Sequence, residues 1–334
     1  MANLYCALDA GTVSTCMLCA TRDETNGTRA LLRRARVTDL GEGVDASGSL
    51  LPRAIGRTVD CIVDYLAQAR GLAREQGLSL VSCLTATSAA RDASNSRDLT
   101  ARLEELGLKP QVIAGTDEAA LGLLGVTGDF MGTTVEVCDI GGGSTELSCG
   151  SRDAQGRLVQ LGAASLNIGA RRVCERFLAC PDDEPCDPAA VRRARDFARS
   201  VFDAHLSQHA NLPETLACVG GTATTLVAVL AELDPYDSDF VHLRQTDRDT
   251  LHDLTERLLC MSTLERRGLV GLQPKRAHVI HAGALILDEL VEVGGWPGFV
   301  TSESNSLFGV VECMHAQAVG IQPPLSWNPQ MLRG

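Results

Sequence analysis

The residues best suited to chemistry lie in Val137–Gly150, VCDIGGGSTELSCG. Asp139 precedes a run of glycines, Gly141, Gly142 and Gly143, and Ser144, Thr145 and Glu146 follow it. Apolar runs on either side predict two strands, with the glycines as the turn of a hairpin. Glycine lets backbone N–H groups converge on an anion with no Cβ in the way. A bare carboxylate repels phosphate unless a divalent cation lies between them. Asp139 therefore predicts a hard metal ion, and Glu146 adds a second carboxylate near it. Ser144 and Thr145 add hydroxyl donors. A merely tight turn is the other reading of the glycines taken alone.

Ala7–Thr15, ALDAGTVST, repeats that grammar: an apolar strand, Asp9, a small residue, Gly11, the hydroxyl residues Thr12 and Ser14, then another apolar strand. Two such hairpins, one opening each half of the chain, resemble the layout of the actin/hexokinase/Hsp70-like phosphotransferase superfamily. That resemblance implies an α/β fold of two RNase H-like domains with a central interdomain cleft, and phosphate gripped from both sides.

The elements that must position these hairpins are legible in outline. The chain has 334 residues, enough for two domains with separate cores. A strand is predicted at about 28–38, carrying Arg33, Arg34 and Arg36, with a solvated strand face as its reading. Leu50–Gln76 has apolar residues at helical spacing and ends at Gly77. The strand Leu78–Thr85 delivers ATSAARDASN, in which Arg91 follows the capping residues Thr87 and Ser88 by about one turn. Gly115–Gly125 reads as a helix with Thr116 as N-cap, placing Asp117 and Glu118 in its first turn, where carboxylates are common because of the helix dipole.

Leu216–Leu230 reads as strand, glycine pair, helix. Gly220 and Gly221 permit close approach of a ligand, and Thr222 offers a hydroxyl at a helix N-terminus; close helix–sheet packing is the alternative. Pro274–Gly294 is apolar almost all round, which predicts burial between domains and leaves room for a homodimer. The expected boundaries are 1–124 with 303–320 for the first domain, 125–302 for the second, and 321–334 as a tail.

Composition excludes several classes. The net charge of −12 argues against nucleic-acid duplexes, and a polyanionic substrate must be met locally by a few arginines and a cation. No apolar run approaches the roughly 20 residues that span a bilayer, so no membrane partner is expected. The N-terminus enters a strand directly, which predicts no signal peptide and a cytoplasmic protein. The 13 cysteines sit in apolar segments as small hydrophobes, and Cys16 and Cys19 point to opposite faces of one strand. His278 and His281 share a helix, with no third metal ligand in view.

In order, ALDAGTVST, TATSAARDASN, VIAGTDEAALGLLG, VCDIGGGSTEL, SLNIGARRVCERF, VGGTATTLVAVL and ERRGLVGLQPKRAHVIHAGALIL resemble the exopolyphosphatase / guanosine pentaphosphate phosphatase family, in its short two-domain form. The resemblance implies Mg²⁺-dependent hydrolysis of a terminal phosphoanhydride in polyphosphate or a guanosine polyphosphate, pppGpp. It implies that Glu118 polarises the attacking water, that Asp139, Glu146 and Asp9 serve the metal, and that Arg91 contacts phosphate. Gly11–Ser14 and Gly141–Thr145 are the implied phosphate-gripping turns. The chain departs from the family where Val13 replaces an amide donor, and where Leu307-Phe308-Gly309 lacks the usual Arg and Glu. A kinase-type phosphotransferase using ATP and a (p)ppGpp sensor without turnover are the other classes considered.

Overall fold

The computed structural model describes residues 2–23, 27–153, 155–209 and 211–333. The chain divides into two compact units. Unit 1 comprises Met1–Gly128, Gln155–Leu158 and Ser304–Gly334, and unit 2 comprises Asp129–Ala154 and Val159–Glu303.

In unit 1 the strands β1 (Asn3–Ala10), β2 (Ser14–Asp23), β3 (Gly27–Val37), β4 (Ser79–Ala86) and β5 (Pro110–Val112) lie in the spatial order β3-β2-β1-β4-β5. The first three are antiparallel; β1–β4 and β4–β5 are parallel. β1 is central and apolar on both faces. Leu4, Cys6, Leu8 and Ala10 enter one core with the Pro52–Gln76 helix, while Tyr5 and Ala7 enter another with the Gly115–Val126 and Ser306–Val319 helices. The period-two alternation of a strand divides them in this way. Cys19 and Cys16 on β2 fall to these same two cores, as their spacing requires. All 13 cysteines are free thiols.

The helix that carries Glu118 is held at close range. A Cβ on Gly125 would lie 2.1 Å from the Asn305 carbonyl oxygen, and one on Gly309 would lie 2.1 Å from that of Leu121. Only glycine at both positions lets the Gly115–Val126 and Ser306–Val319 helices approach this closely. Its neighbour Phe308 lies under the Arg33 guanidinium, 5.0 Å from ring centre.

The residues expected as a tail are part of unit 1. Leu332 and Arg333 pair antiparallel with Ser82 and Val81 on β4, Trp327 is buried, and the Gln111 side chain bonds both Asn328 and Gln330. The aromatic and the backbone donors of this stretch find partners on the sheet, which the proline-rich composition hid.

Unit 2 repeats the arrangement. Its strands are β6 (Val135–Ile140), β7 (Thr145–Arg152), β8 (Leu158–Leu166), β9 (Thr215–Val219), β10 (Gln245–Asp247) and β11 (Gly298–Thr301), ordered β8-β7-β6-β9-β11-β10. Again an antiparallel hairpin, β6–β7, is followed by parallel pairing of β6 with β9 and of β9 with β11. Both units thus have the RNase H-like strand order of an α/β protein.

The apolar stretch 274–294 is a short 3₁₀ turn, Pro274–Arg276, followed by the helix Ile280–Gly294. Its burial is accounted for inside unit 2. The Pro188–Leu206 and Arg248–Cys260 helices pack on it, and Arg195 bonds its buried Asp288 at 2.8 Å and also its Glu289. Among the described residues, no helix is long and apolar enough to cross a membrane.

Candidate active site

In unit 1, Asp9 is the penultimate residue of β1 and accepts a hydrogen bond from Thr85 Oγ1 (2.8 Å), its register partner on β4. The turn that follows closes with Gly11 N–H donating to the Ser14 carbonyl at 3.0 Å. The Thr12 carbonyl accepts from Gly41 N–H, and the Val13 carbonyl accepts from Thr38 and Asp39. A trans peptide sets each C=O opposite to the N–H that follows it. The Val13 and Ser14 N–H groups therefore point away from the 38–41 loop, to one side. The Thr12 hydroxyl accepts from Ala89 N–H at 3.2 Å, tying the turn to the short helix Ser88–Asp92. Val13 is buried, so the residue without an amide donor serves the packing of the turn.

Arg91, in that short helix, reaches Glu118 at 2.6 Å and donates to the Ile113 carbonyl at 3.1 Å. Glu118 stands in the first turn of the Gly115–Val126 helix, as expected, although the N-cap is Ala114 and makes no side-chain cap. Burial pushes the Glu118 carboxyl above its ordinary range, and the Arg91 guanidinium opposes that shift. A largely buried carboxylate with a raised pKa is a stronger base toward water than an ordinary glutamate.

In unit 2, Asp139 and Glu146 are directly opposed across the β6–β7 hairpin. Opposed residues of an antiparallel pair share one face, so both carboxylates are on the same side of the turn. Glu146 accepts from the Ser144 and Ser165 hydroxyls, each at 2.7 Å, and is 3% exposed. The glycine carbonyls are all occupied. Gly141 accepts from Ala170 N–H, Gly142 from Arg171 and Arg172 N–H, and Gly143 from the Arg172 guanidinium at 2.7 Å. By the same peptide geometry, the N–H groups of Gly142, Gly143 and Ser144 point to the opposite side.

The hydroxyls are divided in their use. Thr145 is fully buried and donates to the Ile168 carbonyl at 2.6 Å, so that bond spends its one proton on the fold. Thr222 likewise donates to the Ile140 carbonyl at 3.2 Å. Gly220, with φ +78, brings the helix Gly220–Leu230 up to Asp139: a Cβ there would lie 2.3 Å from Asp139 Oδ1. Gly221 is equally close to the Arg276 guanidinium. The structure therefore groups Gly11, Thr12, Ser14, Asp9, Arg91 and Glu118 in unit 1, and Asp139, Gly141–Thr145, Glu146, Gly220, Gly221 and Thr222 in unit 2.

Thr85, Ser165, Arg172 and Arg276 were not singled out from sequence. Thr85 carried a usable signal, a hydroxyl at the end of a predicted strand. The others depend on long-range packing. His278 bonds the Arg171 guanidinium at 3.0 Å, and no cluster of three His, Cys, Asp or Glu side chains able to hold a metal occurs among the described residues. An ion held by two carboxylates and otherwise by water and phosphate, as Mg²⁺ commonly is, needs no such cluster. Asp139 and Glu146, both hard oxygen donors on one hairpin face, fit it.

These two units define an α/β protein with a carboxylate and a glycine turn at the head of each RNase H-like sheet. The model of the Ppx/GppA phosphatase family matches residues 20–293, and the chain belongs to that family. It is 32% identical over 291 residues to exopolyphosphatase 2 of Mycobacterium tuberculosis, covering 83% of this chain and 87% of the relative. It is 29% identical over 316 residues to a bifunctional 3-dehydroquinate synthase/phosphatase of Fusobacterium nucleatum, covering 92% of this chain and 46% of that one. Among solved structures, the Ppx/GppA family member of Aquifex aeolicus superposes with a TM-score of 0.74 at 25% identity, over 95% of this chain and 99% of that one. An exopolyphosphatase-like protein superposes with a TM-score of 0.79 at 29% identity, over 93% and 97%.

Proposed function

We propose that this chain is a Mg²⁺-dependent exopolyphosphatase that releases terminal orthophosphate from inorganic polyphosphate by attack of water. The observation that carries the reading is the repeated site grammar. Each unit has a carboxylate at the end of its first strand and a turn whose carbonyls are held on one side, so that its N–H groups present to the other. Such a turn is a receptor for phosphate oxygens. Asp139 and Glu146 would hold the cation, which supplies charge neutralisation at the phosphoryl oxygens. Glu118, kept basic by burial and oriented by Arg91, accepts the proton of the attacking water. Relatives named exopolyphosphatase, at 30–32% identity, support polyphosphate ahead of pppGpp.

Orthophosphate release from polyphosphate, with pppGpp run in parallel, tests this reading. Glu118→Gln is expected to lower kcat by about 10²- to 10⁴-fold, the usual worth of a positioned general base, with the fold intact. Turnover that survives in this variant would remove Glu118 from the role.

A further inference from the structure

Cys180 and Cys186 of unit 2 stand apart from the cysteines of the strands. They bracket the acidic loop 181–185, PDDEP, between the π-helical turn Cys174–Leu178 and the Pro188–Leu206 helix. The loop turns back on itself, with Glu184 N–H donating to the Pro181 carbonyl at 3.1 Å. It is also held from outside. The Asp182 carbonyl accepts from Leu264 N–H and its carboxylate pairs with Arg267, each at 2.9 Å. The two thiols reach across this fixed loop in opposite senses. Cys180 Sγ donates to the Glu184 carbonyl at 3.5 Å, and Cys186 Sγ to the Leu178 carbonyl at 3.9 Å. Both sulfurs therefore lie at the neck of the loop, where the two thiols interact. Cys186 belongs to the unit 2 core, whereas Cys180 packs on its rim and is partly exposed.

Beside the pair lies Arg266, which is fully buried. Its guanidinium donates to the Leu258, Met261 and Ala277 carbonyls and to the Thr263 hydroxyl, and no carboxylate is among these partners. The acidic groups it acts on are the thiols of Cys186, Cys180 and Cys174, and it also bonds that of Cys186. A buried cation with only neutral acceptors favours an anion that forms next to it. Burial pushes the Cys186 thiol up, and likewise that of Cys174, which donates to the His278 carbonyl at 3.0 Å. Those two sulfurs stay protonated near neutral pH. Cys180 is the sulfur of the three that stands at the rim of the core beside a partner thiol.

We infer that Cys180 and Cys186 are a reversible thiol–disulfide pair, oxidised by a peroxide, with Cys180 as the attacking sulfur and Cys186 as the resolving one. Cys180, as thiolate, attacks one peroxide oxygen. The O–O bond breaks, and the hydroxide that leaves takes up the proton the thiol released, giving water. The Cys186 sulfur then attacks the sulfenic sulfur of Cys180. An S–S bond forms, the S–O bond breaks, and the second hydroxide leaves as water with the Cys186 proton. The two thiols lose two electrons, and the peroxide is reduced to two waters. Arg266 stabilises sulfur anions at this neck, the electropositive setting that reactive cysteines need. The disulfide closes the loop covalently in the shape its hydrogen bonds already give it. This inference stands apart from the hydrolase reading, which survives its failure.

Thiols also fill space as small hydrophobes, and oxidation separates that role from this one. The folded chain is treated with hydrogen peroxide, its remaining thiols are alkylated, and the tryptic peptides are weighed. Cys180 and Cys186 fall in one peptide, 177–192, and Cys174 in another. Peptide 177–192 is expected two hydrogens lighter and unalkylated, and doubly alkylated again when dithiothreitol precedes the blocking step. In Cys186→Ser, dimedone is expected to trap Cys180 as its sulfenic acid. In Cys180→Ser, Cys186 is expected to keep its free thiol. Exposed Cys260 is the internal comparison: it is alkylated before treatment and is not expected to join the bridge. The wild-type peptide map decides alone if either variant fails to fold. A 177–192 peptide that stays doubly alkylated after peroxide, gains oxygen in place of the bridge, or is linked to Cys174 overturns the pair.

Discussion

Replacing Gly220 by alanine tests the geometry of the unit 2 carboxylates. The added Cβ would lie 2.3 Å from Asp139 Oδ1 and 3.2 Å from its Cγ, where ordinary contact begins near 3.4 Å. The carboxylate must retreat by about 1 Å or the helix Gly220–Leu230 must move by as much. A displacement of that size at a reacting centre costs about 10²-fold. The backbone at φ +78 adds a stability loss of about 1–2 kcal/mol for a residue with a Cβ. The expected outcome is a folded protein with kcat for orthophosphate release down by about 100-fold and a raised Mg²⁺ requirement, measured by phosphate release over a magnesium titration. Gly221→Ala is the control. Its Cβ would meet the tip of Arg276, a flexible side chain that can swing aside, so the loss should be smaller. Activity of Gly220→Ala within twofold of wild type would refute the placement of Asp139 at the reacting phosphate.

The remaining predictions concern pH and stability. Because burial raises the Glu118 pKa, kcat/KM should fall on acidification at a higher pH than an ordinary glutamate would give, and a pH–rate profile checks this. Glu136 is buried on β6 with its pKa raised by desolvation from 4.5 to about 7. The unfolded chain then loses this proton first, so stability falls as pH rises from about 4.5 to about 7 and is level above. Glu136→Gln should accordingly be more stable than wild type at pH 8, by up to about 3 kcal/mol, and no more stable at pH 4, by chemical denaturation. Arg195→Met leaves Asp288 and Glu289 buried without their main partner and should destabilise unit 2 by about 3 kcal/mol, seen in a urea titration.

The hairpins were legible because a strand–Asp–Gly–hydroxyl pattern constrains local backbone. Alternation on β1 was equally readable, since its two faces enter two cores. The use of each hydroxyl was not. Thr145 and Ser144 are neighbours in sequence, yet one is spent on the Ile168 carbonyl and the other on Glu146, a difference set by strand parity and by a loop some 20 residues away. Arg91 could be placed near a helix start, but its bond to Glu118 joins elements 27 positions apart. The partners of the helix Ile280–Gly294 within unit 2 were equally hidden: the Pro188–Leu206 and Arg248–Cys260 helices pack on it, and Asp288 and Glu289 pair with Arg195, far away in sequence. Gly309 was noted only as part of a departing motif; its close approach to Leu121 needs the third dimension.

The most direct test of the central claim is orthophosphate release from inorganic polyphosphate by the purified chain, with Mg²⁺ and with the metal chelated away. The account predicts progressive release that stops on chelation and resumes when Mg²⁺ is restored. No release with Mg²⁺ present, or release that continues undiminished after chelation, would contradict it.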